Sequence, residues 1–161
     1  MIGGLQILVE NQHYPTIKTP EQMLPPIRLL TNSVEWDWLN QFDKKKAVDT
    51  FWLKSARNAD DARRQIQVFY NRMQLANLKF SAQRPGWQAQ PGKIMMLAGL
   101  PDEVAWTDSG LDWFYFIGKN EKLKIPFKHN HATQELELFR NDSVLNGFLL
   151  HYVNRWRNGT Y

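Results

Sequence analysis

Three groups of residues are of types that could do chemistry. Asp102-Glu103 is the best placed acidic pair, and a general acid needs a carboxyl whose pKa burial has raised. His129-Asn130-His131 sets two imidazoles two residues apart; on a strand they would share one face and could hold a metal if Glu135 or Glu137 joined them. The third group is aromatic, with seven Trp in 161 residues. Trp87 lies in a loop flanked by proline and glycine, and Trp106 and Trp113 bracket a turn, where exposed rings could stack on a sugar, a peptide or a base.

Each group has an ordinary structural counterpart. Leu100-Pro101-Asp102-Glu103 is also a turn sequence, two histidines without a fixed third ligand read as a polar loop, and Trp52 and Trp156 read as core. No residue is therefore assigned a catalytic role, no metal site is assigned, and no cofactor is expected.

Several chemistries lack their residues altogether. The chain has no cysteine, which removes disulfides, thiolate metal sites and cysteine nucleophiles. Neither a GxxxxGK phosphate loop, a GxGxxG turn nor a GxSxG elbow occurs, and Ser109 falls in the polar turn Thr107-Asp108-Ser109-Gly110. Twenty Lys and Arg against sixteen Asp and Glu leave a net charge of +4, too small a surplus to demand a polyanion. Lys122, Lys124 and Lys128 beside aromatics give a nucleic-acid module its only basis, without a signature motif, and no nucleic acid is expected. No run approaches the roughly 18 apolar residues of a membrane span. Met1 to Leu8 has no basic start and no small-residue cleavage site, so no secretion signal is read in this chain.

The elements that would carry these residues follow from periodicity and caps. Leu5, Ile7 and Val9 suggest a short strand. Thr19-Pro20-Glu21-Gln22 is a capping box, but Pro25-Pro26 should end that helix after about a turn, with Ile27 to Leu30 then free to pair as a strand. Thr31-Asn32-Ser33 caps a short helix with Val34, Trp38, Leu39 and Phe42 on its apolar side, and Asp43 caps another carrying Ala47, Val48, Phe51 and Trp52. From about Asp60 to Ser81, Ala62, Ile66, Phe69, Met73, Ala76 and Phe80 form a core-facing helical stripe behind an Asn58 cap. Lys93 to Gly99, bounded by Pro91-Gly92 and Leu100-Pro101, reads as a central strand. Leu111 to Ile117 and Lys122 to Lys128 make a β-hairpin whose Pro126 suggests that the second strand is an edge or is paired on one side only. Glu135 to Leu138 adds a strand, and Asp142 or Ser143 caps a last helix closed by Asn158-Gly159. The expected architecture is α+β: a helical N-terminal half packed on a small, largely antiparallel sheet, with a C-terminal helix.

Several segments in order resemble one family. Asp49-Thr50-Phe51-Trp52-Leu53-Lys54, Phe69-Tyr70-Asn71-Arg72 with Ala76-Asn77, Gly86-Trp87, and Lys93 to Glu103 are followed by the aromatic Trp113 to Phe116 and by Trp156-Arg157-Asn158-Gly159. The series resembles the bacterial GWxTD-domain family, found chiefly in Bacteroidetes-like bacteria. The chain departs from the naming motif, since Gln88-Ala89-Gln90 stands where the family tends to carry a threonine and an aspartate. The resemblance implies residues 1–25 as a lead-in, the end of an upstream β-rich region, and 26–161 as the domain. It also implies an extracytoplasmic place, in the periplasm or at the outer membrane, and supplies no reaction. The leading expectation is a non-enzymatic binding or assembly module with an envelope protein partner, docked by Gly86, Trp87, Gly99, Pro101, Asp102 and Trp106. The alternative is a glycan or peptidoglycan binder or hydrolase with Trp87 and Trp106 as platforms and Asp102 or Glu103 as acid; a nucleic-acid module comes third. The oligomeric state is left open.

Overall fold

The structure, a computed structural model, describes residues 17–139 and 142–161. The strand expected at Leu5 to Val9 lies outside the described residues. The chain order is α1 (Pro20–Ile27), a 3-10 turn (Arg28–Leu30), α2 (Ser33–Leu39), α3 (Lys44–Ser55), α4 (Ala59–Phe80), a second 3-10 turn (Gly86–Gln88), α5 (Gln90–Ala98), β1 (Glu103–Thr107), β2 (Gly110–Phe116), β3 (Lys122–Asn130), β4 (Glu135–Leu138) and α6 (Ser143–Arg157). The α+β architecture is the expected one, a helical half followed by an antiparallel sheet and a closing helix.

Helix starts follow side-chain caps. Asn32, Asp43, Asn58 and Asp142 each accept a hydrogen bond from the backbone N–H three residues on, at 2.9–3.0 Å. Thr19 and Gln22 form the reciprocal box. Pro25 and Pro26 do not end α1. Both fall in its last turn, where their missing N–H groups cost bonds only to the exposed Glu21 and Gln22, and Pro26 is itself buried with Leu24 and Ile27. Ile27 to Leu30 is accordingly not a strand; it tightens into the 3-10 turn with Ile27 and Leu30 in the core.

The segment expected as a central strand is α5. A short apolar run buried all round has no periodicity to separate strand from helix. Met95, Met96, Leu97 and Ala98 are good helix formers, and Pro91 lies at the helix start. The run stops at Gly99, whose φ of +84° is open to glycine at little cost.

The four strands lie in the order β1-β2-β3-β4, each antiparallel to the next. Leu111, Trp113, Tyr115, Leu123, Ile125 and Phe127 are buried on the face that meets the helices. Pro126 sits where β4 has just ended, and its carbonyl accepts from the N–H of Phe139 at 2.9 Å. Pro126 thus turns its ring nitrogen away from β2 and toward the exposed Phe139, so the missing donor falls just past the end of β4 and β3 pairs on both sides rather than lying at an edge as expected. β1 was not expected as a strand. It has five residues, all exposed, and burial left no alternating mark on it.

The helical core is aromatic. Trp52 packs edge-on against Phe69 at 5.1 Å and Trp156 at 6.3 Å, and Phe69 meets Trp156 at 5.2 Å. Trp52 and Trp156 are completely buried, as their spacing indicated. Tyr70 accepts from the Trp52 indole at 3.3 Å and donates to the Met23 carbonyl at 2.7 Å, and burial pushes its phenol pKa far up.

Candidate functional site

The six candidate docking residues sit around α5 and the strand after it. Gly86 and Trp87 precede the helix, Gly99, Pro101 and Asp102 follow it, and Trp106 lies near the end of β1. Nine residues of helix hold the first two groups about 13 Å apart along the axis. The structure does not join them. β1 then carries Trp106 back to the start of α5, where it lines a shallow cleft with Ala89, Pro91, Phe80 and His129. The cleft has a volume of about 240 Å³.

Gly86 is buried, and its N–H donates to Ser81 Oγ at 2.9 Å. The Trp87 N–H donates to Asn77 Oδ1 at 3.1 Å, and its half-buried ring packs against the core. Ala76-Asn77 and Gly86-Trp87 are therefore one contact, the end of α4 gripping the turn before α5. A Cβ on Gly86 would overlap the Ala76 carbonyl oxygen, and one on Gly92 would overlap the Gly86 carbonyl oxygen. The glycines permit this approach of backbone to backbone.

The two positions that depart from the motif have a structural meaning. Ala89 is the residue before α5 and makes no side-chain cap. A threonine there would supply one, and an aspartate at the next position would suit the positive helix end. Here the Gln90 side-chain carbonyl instead accepts from the Leu138 N–H of β4. Ala89→Ser restores a cap to α5, and urea unfolding should show a gain of about 1 kcal/mol.

At the far end of α5 the last carbonyls are closed by side chains. Arg72 donates to Leu97 O at 2.9 Å and Met96 O at 3.3 Å, and Trp156 Nε1 donates to Leu97 O at 2.9 Å. The Arg72 guanidinium also lies 5.2 Å from the Trp156 ring centroid, and burial lowers its pKa. Gly99 is buried, and its carbonyl accepts from Tyr115 OH at 2.8 Å. Burial pushes the Tyr115 phenol up, so it remains a donor.

The acidic pair is engaged in the sheet. Pro101 stands where a partner to Phe116 would be, and the Asp102 carboxylate takes the Phe116 N–H at 2.7 Å. Glu103 pairs with Lys122 at 2.7 Å across the strands. Neither carboxylate faces the cleft at Ala89 and Trp106, so the expected acid and the expected platforms do not meet. His129 and His131 bring their Nδ1 atoms to 3.2 Å, but the carboxylates weighed as a third ligand are taken. Glu135 is held by Arg84, and Glu137 accepts from Asn130 at 2.9 Å. Among the described residues no cluster of three or more His, Asp or Glu could hold a metal. The lysines of the open sheet face are also committed. Lys124 pairs with Asp112 at 2.7 Å, and Lys128 lies 3.9 Å from the Phe139 ring centroid.

Glu135 is buried at the floor of the cleft, gripped at both oxygens by Arg84 at 2.6 and 3.0 Å. The Arg84 hydrogen bonds hold its carboxyl below the usual glutamate range although burial pushes the other way. A depressed folded pKa contributes stability above the unfolded value, which is lost as pH falls through the folded one. The urea midpoint should therefore drop below about pH 4, and Glu135→Gln should flatten that fall.

Trp106 remains. It is 81% exposed, and Val104 beside it is 45% exposed. Val104 was missed as a candidate. Its signal was the alternation of Val104 and Trp106 across Glu103 to Thr107, too short to stand out from the turns around it.

The sequence profile of the GWxTD domain matches residues 2–158 of the 161-residue chain, reaching further forward than the resemblance from Pro26 onward. No curated protein and no solved structure matches the chain.

Proposed function

The chain belongs to the GWxTD-domain family, and from that premise we propose that it is a non-enzymatic docking module of an exported bacterial envelope protein, taking its partner along β1 beside Trp106. The observation that carries this reading is the exposure of Trp106. An indole left 81% in water on a short strand costs solubility unless something covers it. The envelope part rests on the family resemblance. The docking part rests on Trp106, Val104 and the cleft behind them, while Gly86 and Gly99, both buried, hold the frame.

Full-length tagged protein, captured natively from fractionated cells, tests place and role together. Wild type should recover a stoichiometric envelope partner, an untagged copy of this chain counting as one, and Trp106→Ala should lose it with the fold intact by circular dichroism. Trp87→Ala, whose ring packs on the core, should act through stability. A partner retained in full by Trp106→Ala, or a cytoplasmic protein without a partner, overturns the proposal. Binding to a glycan panel that disappears in Trp106→Ala would move the reading to the sugar alternative.

A further inference from the structure

Resting on the docking reading, we infer that the partner at β1 is a second copy of this chain, joined edge to edge and antiparallel so that the two sheets become continuous. The direction of the main-chain groups carries the argument. Ile117 donates to the Glu121 carbonyl at 3.0 Å and His129 to the Ser109 carbonyl at 2.9 Å. Odd-numbered residues of β2 therefore turn their N–H and C=O toward β3, and Gly110, Asp112 and Phe114 turn theirs toward β1. Their partners are Thr107, Ala105 and Glu103. Val104 and Trp106 consequently turn their N–H and C=O groups outward, and among the described residues no strand receives them.

This edge is protected only by its shortness and by Glu103. It holds no lysine and no proline, its side chains at Val104 and Trp106 are apolar, and both are exposed although they lie opposite the buried Trp113 and Leu111. The helix layer stops short of them.

The strand is complementary to itself. A two-fold axis through Ala105 sets Val104 of one copy opposite Trp106 of the other, twice, and satisfies every outward group with about four main-chain hydrogen bonds. Each pair joins a β-branched and an aromatic side chain, a favourable cross-strand combination. Ala105 meets its counterpart at the axis, where a methyl group leaves room. Glu103 falls opposite Thr107, and Lys122 already neutralises it, so no like charges meet along the strand. Centring on Val104 would place Trp106 against Asp102, and centring on Trp106 would place Val104 against Asp108. Either shift leaves apolar edge groups facing a carboxylate. The contact is small, which sets a weak and reversible dimer.

The chain has no cysteine, so one introduced thiol reports the register. In antiparallel pairs without mutual hydrogen bonds, facing Cα atoms lie about 4.5 Å apart, within disulfide reach. Full-length Ala105→Cys should oxidise to a covalent dimer, while Thr107→Cys, displaced from the axis, should not. Sedimentation equilibrium over roughly 1 µM to 1 mM should show monomer passing to dimer, weakened at least ~10-fold in Val104→Lys and Trp106→Lys. Because both side chains are exposed, their urea midpoints should stay near wild type. A monomer throughout, with equal crosslinking at 105 and 107, overturns the dimer. If that monomer still protects the Val104 and Trp106 amides from hydrogen exchange and Ile7→Lys abolishes the protection, the alternating Leu5–Val9 segment is the occupant and the dimer is wrong. If it is unprotected yet loses an envelope partner in Trp106→Lys, the docking reading stands without the dimer; if capture is unaffected too, both fall.

Discussion

Trp156→Ala should lower the unfolding free energy by about 4 kcal/mol, the range for deleting a wholly buried tryptophan. The indole is completely buried and lies edge-on to Trp52 and Phe69. It also stacks on Tyr161 at 4.9 Å, and its N–H closes the Leu97 carbonyl. Truncation opens a cavity at the meeting of α3, α4 and α6 and strips one partner from the end of α5. Arg72 retains its bond to the same carbonyl, so the polar loss is partial and the cavity dominates. Trp156→Phe, which keeps most of the packing and loses only the donor, should cost about 1–2 kcal/mol. Urea unfolding with an unchanged slope would establish both figures. A cost near zero for the alanine variant would mean that α6 is not a closing element of this core.

The second large effect is expected at a residue with no side chain. Gly92→Ala should cost about 3 kcal/mol or more, and soluble yield should fall with it. The new methyl would overlap the Gly86 carbonyl oxygen, with the Gly86 carbonyl carbon at 2.8 Å and the Trp87 Cα at 3.1 Å. All three are main-chain atoms, and the Ala89 N–H bonded to the same Gly86 carbonyl keeps them from moving aside. Gly147→Ala is the control within the same molecule. Nothing lies within 4 Å of the added carbon in α6, so alanine there should stabilise by about 0.5–1 kcal/mol through helix propensity. Opposite signs for one chemical change at two helical glycines would locate the effect in the approach of two backbones.

How much of this was legible depended on whether local sequence or tertiary covering decided the outcome. The stripe from Ala62 to Phe80 and the five polar caps were legible because one helix carries the whole signal. The β2–β3 hairpin was legible because an aromatic run meets, across a Gly-Lys-Asn-Glu turn, a strand whose buried Leu123, Ile125 and Phe127 alternate with lysines and Pro126. α5 was not, since residues buried on every side erase the period that separates helix from strand. Pro25 and Pro26 ended α1 on paper because the cost of a missing N–H is local, whereas burial of Pro26 and Ile27 is not. In the candidate site, Trp87 and Trp106 stand on equal terms in the sequence. Coverage by the helix layer separates them, leaving one ring packed and the other in water. The Gly-Trp motif was read as a docking loop, but the burial of Gly86 follows from contact with α4, which spacing alone does not reveal.

The aromatic cluster joins Trp52 and Phe69 to Trp156, a residue synthesised about a hundred positions later. While a ribosome is still making the sheet, the apolar faces of α3 and α4 have no lid, and the nascent polypeptide presents them to whatever chaperone or protease is near. The native state is reachable only after α6 has emerged. A stalled or truncated translation product ending before Ser143 should therefore be sticky and readily degraded.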